Sequence, residues 1–332
     1  MNRLLYIFLL LSTGFLLSAQ GSKEQPLLSP ADIADLSTWK LQLPVASESG
    51  TSVKEVYPEE LKKGYQDEFF YLDPDSKAVV FRSPIKGFTT PNTTYTRCEL
   101  RELIDGVHET TNWGFTGTHV MTVTESVEKL PTSGRIIVAQ IHSIYPNGDN
   151  GPATIKVVYD GTTKEIETRV KVEASLSAGE KKFYFSNVEL GQQFEVTLKI
   201  IDGVFYAYIS SEGRTKAFSY DLLGTDPNWT TYLNYFKVGC YVQDDKEDYV
   251  GEEGIVKIYA LTTFHSDKSE PIALKALKIE PEEVKVEAGS ILQLSPVFIP
   301  IETTEKDVRF EIVKGRDVAS VDRKGNVIYC VP

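Results

Sequence analysis

Thr197-Leu-Lys-Ile-Ile-Asp-Gly-Val-Phe-Tyr-Ala-Tyr208 reads as two short strands folded back on each other. Asp202-Gly203 is the residue pair that tolerates positive φ at both centres of a tight hairpin turn, and apolar side chains alternate on either side of it. Asp160-Gly161 repeats the signal. Working outward, strand candidates recur at 77–82, 94–103, 117–126, 134–142, 153–159, 165–173, 181–187, 193–201, 204–210, 214–220, 234–243 and 254–263. Helical patterning is confined to 30–36 and 57–65, each with a proline near its start. Many short strands with few helices predict an all-β fold, a two-sheet sandwich of the jelly-roll type.

The composition suits a globular domain, with 41% hydrophobic and 25% charged residues. A net charge of −12 argues against a nucleic-acid partner, which would require a basic footprint. It does not exclude a polyanionic ligand, because a local basic cleft overrides long-range charge at close quarters. Asn2-Arg3, the apolar run 4–17 and Ser18-Ala19 have the layout of a secretory signal over 1–20, followed by a polar linker over 21–29. The alternative, a membrane anchor, is disfavoured by the shortness of the run, and no other segment is apolar enough for a span. A secreted or periplasmic location is therefore expected. The three cysteines, Cys98, Cys240 and Cys330, make neither a disulfide framework nor a metal-ligand spacing.

Three strands carry an unusual polar face, because side chains alternate between the two sides of a strand. Over 95–101 one side holds Tyr95, Arg97, Glu99 and Arg101. Over 138–142 it holds Gln140 and His142, and over 235–243 it holds Tyr235, Lys237, Gly239, Tyr241 and Gln243. The opposite sides are apolar and suit a core. Arg, Gln, His, Tyr and Lys together are a richer set than solvation of a sheet needs. If the strands are neighbours, these groups converge on a surface suited to an acidic sugar.

Arg97-Cys-Glu-Leu-Arg-Glu102, Gln140-Ile-His142 and Tyr235-Phe-Lys-Val-Gly-Cys-Tyr-Val-Gln243 resemble, in this order, the three signature motifs of polysaccharide lyase family 7, the alginate lyases. The stretch from Pro30 through Trp39-Lys-Leu-Gln-Leu-Pro44 resembles the start of that domain, so the resemblance covers 30–266. It implies a concanavalin-like jelly roll that cleaves 1,4-linked uronate chains by β-elimination, with alginate as partner and no cofactor or metal. Arg97 and Gln140 suit neutralisation of the uronate carboxylate. The resemblance implies His142 and Tyr241 as base and acid, with Arg101, Lys237, Gln243, Tyr235 and Glu99 binding neighbouring sugars or, for Glu99, orienting an arginine. Ile141 at the middle of the second motif accompanies, in that family, activity on guluronate-containing blocks. Cys98, Val238 and Cys240 depart from the usual pattern on the core-facing side. Two buried thiols are expected there, with a cross-strand disulfide as the alternative.

Two other readings of the same polar face are a non-catalytic carbohydrate-binding sandwich and a lyase for another polyuronate. A glycoside hydrolase would need two carboxylates flanking the bond, and Glu99 lies among arginines instead. His108, His119 and His265 have no partner motif and read as surface or core residues, and 145–152 reads as a lid or an ordinary turn. A monomer is expected. After a linker at 267–271, the segment 272–332 has its own strand pattern, at 273–279, 283–286, 291–294, 308–312, 319–322 and 327–329. With Pro281, Gly289, Gln293-Leu294, Pro300, Val318-Ala-Ser-Val-Asp322 and Gly325 it resembles a group 2 bacterial Ig-like domain, one strand short.

Overall fold

The computed structural model describes residues 29–91, 93–246, 251–287, 289–322 and 324–329. The expected signal segment 1–20, most of the linker and Cys330 lie outside them. In chain order the first strands are β1 Trp39–Ala46, β2 Val53–Val56, β3 Phe70–Asp73, β4 Ala78–Pro84, β5 Arg97–Glu102, β6 Thr118–Lys129, β7 Arg135–Ile144 and β8 Asn150–Asp160. They continue as β9 Glu165–Lys171, β10 Glu180–Ser186, β11 Phe194–Ile201, β12 Val204–Ser211, β13 Arg214–Asp221, β14 Leu233–Val242 and β15 Glu253–Ser266. Two antiparallel sheets result. One has the order β10-β9-β8-β7-β14-β5-β1-β2, the other β13-β12-β11-β6-β15-β4-β3.

The hairpin at Asp202-Gly203 forms as its sequence predicts, with both residues at positive φ and Ile201 paired to Val204. Glu212-Gly213 makes the next hairpin the same way. Asp160-Gly161 does not form a two-residue turn. There the Asp160 carboxylate accepts from the Thr162 and Thr163 amides, and the chain needs four residues before β9 begins. Among the described residues, helix is limited to a single 3₁₀ turn at Pro30–Asp32, a short helix α1 at Pro58–Lys62, and two brief pieces before β14.

Between the sheets, Leu41, Leu100, Ile141, Phe236 and Val238 pack toward Met121, Val123, Leu198, Phe205 and Val256, all nearly inaccessible. Cys98 and Cys240 face each other in register within this layer as free, buried thiols. The layer also holds polar groups. Glu102 accepts from Trp113 Nε1 at 3.0 Å, from the Phe236 amide at 3.1 Å and from His265 Nε2 at 2.8 Å. His265 in turn meets His119 through their Nδ1 atoms at 3.0 Å. The Thr116 carbonyl, 2.9 Å from His119 Nε2, fixes the proton there, so His119 Nδ1 accepts from His265. The two histidines are neighbours on β6 and β15 of the second sheet, and it is His265, through Glu102 of β5, that ties one sheet to the other, a partnership no local motif announces. His108 lies exposed beside Asp105.

Glu125 of β6 is fully buried, and neither carboxylate oxygen has a partner among the described residues. Burial pushes its carboxyl well above the ordinary range. The folded chain then holds a proton that the unfolded chain has lost, so stability falls as pH rises above the ordinary carboxylate range toward the folded value. The slope is up to about 1.4 kcal/mol per pH unit. Glu125→Gln keeps the shape and abolishes the titration. Urea unfolding at about pH 5 and about pH 8 is expected to show the variant gaining on the wild type at the higher pH. A constant difference between the two would contradict this.

Beyond the linker, β16 Ala276–Glu280 pairs with β18 Ser295–Ile299, and β20 Asn326–Tyr329 lies between β17 Ile291–Gln293 and β19 Ala319–Val321. The strands expected at 283–286 and 308–312 do not form; their backbones join no ladder. Among the described apolar side chains here only Val327 is buried. This segment touches the second sheet through Glu302, 8% exposed, whose carboxylate meets Lys199 Nζ at 2.5 Å and the Tyr208 hydroxyl. Lys199 pairs with Tyr206 and Tyr208 with Thr197 across β11 and β12, which makes Lys199 and Tyr208 diagonal neighbours on the face turned away from the core.

Candidate active site

The three strands with the polar faces are neighbours, in the order β7-β14-β5 at the middle of the first sheet. Tyr235 pairs with His142, Lys237 with both Gln140 and Arg101, and Tyr241 with Arg97. Paired residues project to the same side. The sequence-predicted groups therefore share one groove of about 680 Å³, lined among others by Arg97, Gln140, His142, Tyr235, Lys237, Tyr241 and Gln243.

Two irregularities set the details. The β14–β7 register slips between Val238 and Tyr241, and the bulge is built on Gly239, at φ +141°. A Cβ there would come within 2.6 Å of the Cys98 carbonyl oxygen and 3.0 Å of Glu99 Cα, so only glycine lets β14 pass β5 this closely. A second slip in β7 near Val138 turns both Val138 and Ala139 to the core and Ile137 to the groove. Ile137 is thereby the register partner of Tyr241.

Glu99 is the anchor of the floor. It has no exposed surface, and its carboxylate meets Lys237 Nζ at 2.5 Å, Gln140 Nε2 at 2.5 Å and Arg97 Nη1 at 3.3 Å. Burial would raise its carboxyl, but Lys237 and Arg97 outweigh that and hold it below the ordinary value. Burial and Arg97 pull the Lys237 ammonium down, against Glu99. Arg97 lies with its guanidinium carbon 3.8 Å over the Tyr241 ring, and its Nε–H is buried without a partner among the described residues. Arg101 lies likewise, 3.9 Å over the Tyr235 ring, and its N–H groups are taken by the carbonyls of Glu102 and Glu109 and by Asn112 Oδ1.

His142 stacks on Tyr235 with ring centroids 5.3 Å apart. Its Nδ1 is 2.9 Å from the Ser143 carbonyl oxygen. A carbonyl can only accept, so Nδ1 carries the proton and Nε2 keeps its lone pair. Burial, then Lys237 and Arg97, push its pKa down to about 3, so the ring is neutral across the neutral pH range. Burial raises the Tyr241 phenol, with Arg97 opposing, and keeps it protonated. A neutral imidazole with a free nitrogen, a protonated phenol and an unpaired guanidinium N–H can together move protons beside a bound anion.

Other groove residues were not among the sequence-predicted set. Lys40, only 3% exposed, bridges Glu55 and Glu109 at 2.7 and 2.6 Å, and Gln42 accepts from Lys237 at 3.2 Å. Both sit on β1, where the same alternation in Trp39-Lys-Leu-Gln-Leu could have revealed them; Pro44 hides the strand. Lys156 and Asn150 come from β8. Gln243 lines the groove edge, its amide donating to the Val242 carbonyl at 2.9 Å. The segment after His142 is a tight turn closed by Tyr145–Asp149 and Gly148–Tyr145 backbone bonds, with Gly148 and Asn150 at the groove rim.

Residues 34–265 match the family model described as alginate lyase. An alginate lyase from Klebsiella pneumoniae is 32% identical over 145 residues, covering 35% of this chain and 46% of that protein, so the match spans less than half of that relative. Among solved structures, alginate lyase A1-II′, described as a member of polysaccharide lyase family 7, is 38% identical. The similarity covers 72% of this chain and 99% of that one, with a TM-score of 0.65. A variant of the same lyase in complex with a substrate, GGMG, is 37% identical over 73% of this chain and 98% of that one, TM-score 0.66. An alginate lyase from Pseudomonas aeruginosa is 25% identical, over 70% and 100% of the two chains, TM-score 0.60.

Proposed function

The chain belongs to polysaccharide lyase family 7, the alginate lyases, and from that premise we propose that it cleaves alginate by β-elimination in the groove over β7, β14 and β5. The observation that carries the mechanism is the buried, unpaired Nε–H of Arg97 between Tyr241 and Glu99. A uronate carboxylate there supplies the missing acceptor. Together with the second amide hydrogen of Gln140 it lets charge build up at the carboxylate as the sugar's C5 proton leaves.

In guluronate the C5 hydrogen and O4 lie on opposite faces of the ring. His142 Nε2 takes the proton from C5, the electron pair forms the C4=C5 double bond, the C4–O4 bond breaks, and O4 takes the proton of the Tyr241 hydroxyl. In mannuronate the two lie on one face, and Tyr241 serves at both while His142 faces the carboxylate. Glu99 and Arg101 act indirectly: their polar atoms are occupied by protein partners, so they hold Arg97, Gln140, Lys237 and Tyr235 in place. Lys237, Tyr235 and Gln243 border the neighbouring sugars.

Guluronate-containing blocks are the preferred substrate in this reading. Ile141, on whose identity that rests, is fully buried in the core, out of reach of any sugar. The groove is lined by residues of one chain, which supports a monomer, and the export pattern of residues 1–20 supports a location outside the cytoplasm. The product carries a double bond conjugated to its carboxylate and absorbs in the ultraviolet. Incubation with alginate is expected to give a steady absorbance rise, faster with polyguluronate than with polymannuronate. No rise would overturn the lyase reading; a faster rise with polymannuronate would overturn the preference.

A further inference from the structure

The groove floor continues past the strands of the three motifs. Lys237, Arg101 and Lys40 run in register from Gln140 toward one edge of the sheet. Toward the other edge the partners of Gln140 are Lys156 on β8, Arg169 on β9 and Lys182 on β10. All seven therefore stand in one row across seven strands on the groove side, and every member but Gln140 is cationic. With strands about 4.8 Å apart the row is roughly 29 Å long. The spacing is close to one pyranose unit per strand.

The two arms differ in what they leave open. Lys40, Arg101 and Lys237 are 3–4% exposed and locked to protein partners. On the outer arm the side chains of Lys156, Arg169 and Lys182 are 22%, 18% and 43% exposed. Glu167 alone serves both Arg169, at 2.6 Å, and Lys182, at 2.7 Å, and Glu180 meets Lys156 at 2.6 Å. Three cations are thus held by two carboxylates, on a protein whose net charge is −12. Tyr184 pairs with Glu167 two places along β10 from Lys182, on the same face, and the residue is 41% exposed. Cations left partly or fully open in line with an active groove, beside an open aromatic ring, match a chain of sugars that each carry a carboxylate.

We propose that Lys156, Arg169, Lys182 and Tyr184 form an outer binding rail for the uronate units of a polymer engaged at the central groove, an inference that rests on the lyase reading above. The rail contributes to capture of long chains and not to the chemical step. Arg169→Ala combined with Lys182→Ala is expected to raise KM for polymeric alginate roughly five-fold with kcat unchanged, and to leave a trimer short enough to fill only the central groove unaffected. Glu167→Gln separates binding from sheet support. If the cations take substrate, freeing them from Glu167 lowers KM for the polymer; if they serve only to brace β9 and β10, the change lowers Tm and leaves KM alone. An unchanged polymer KM in the double variant, or a parallel rise for polymer and trimer, would overturn the rail. Absence of ultraviolet-absorbing product from the wild type on both substrates would instead overturn the lyase reading, and the rail with it.

Discussion

Tyr241→Phe is expected to lower kcat on alginate by roughly 10²–10⁴, the usual worth of one positioned proton donor, while alginate binding stays within a few-fold of the wild type. The substitution removes one oxygen and little else. The ring remains beneath the Arg97 guanidinium, so the stacking that shapes the carboxylate site survives. Tyr95, edge-on to the same ring at 6.3 Å, keeps its contact as well. The leaving O4 then loses the phenol set beside Arg97, and His142 does not replace it, because that ring is neutral with its only proton turned to the Ser143 carbonyl. Initial rates from absorbance, with calorimetric titration of the same variant, separate catalysis from binding. Activity within ten-fold of wild type would show that another group delivers the proton.

The second large effect concerns stability. Glu99→Ala leaves Lys237 and Arg97 buried without the carboxylate that holds them, and Gln140 without its acceptor. Breaking a buried ion pair by removing one partner costs about 3–5 kcal/mol. For a domain of this size that lowers Tm by roughly 10 °C. The loss comes mainly from stranded positive charge, and not from missing packing. Glu99→Gln, which keeps the volume, is expected to recover only a small part of it. Thermal unfolding followed by circular dichroism reads both variants. A Tm within about 2 °C of the wild type for Glu99→Ala, equivalent to under 1 kcal/mol, would mean that the floor is not organised around this carboxylate.

Much of this site was legible in the strands themselves. Alternation alone assigned Arg97, Glu99 and Arg101 to one face and Cys98 and Leu100 to the other, because a period of two is fixed by the pleat. Motif order then identified the family and its fold. Strand adjacency was not legible. β14 lies between β7 and β5 although β5 and β14 are more than a hundred residues apart, and no local signal encodes a pairing of that range. Nor were the two bulges, which bring Ile137 to the groove and let Gly239 pass under Glu99. The partners of Glu99 and Arg101 also needed three dimensions, since a charged residue on a polar face can meet either sugar or neighbour. The histidine pair His119–His265 was missed for the same reason: it joins residues of different strands across a register that only the folded sheet defines.

The Glu302 contact with Lys199 and Tyr208 bears on how the enzyme would be mounted. It fastens the C-terminal segment to the sheet that does not carry the groove. Any scaffold or surface gripping that segment would grip the catalyst by its back. The open side would then look away from the support, toward the medium, and a long polymer could slide across it without meeting its own tether.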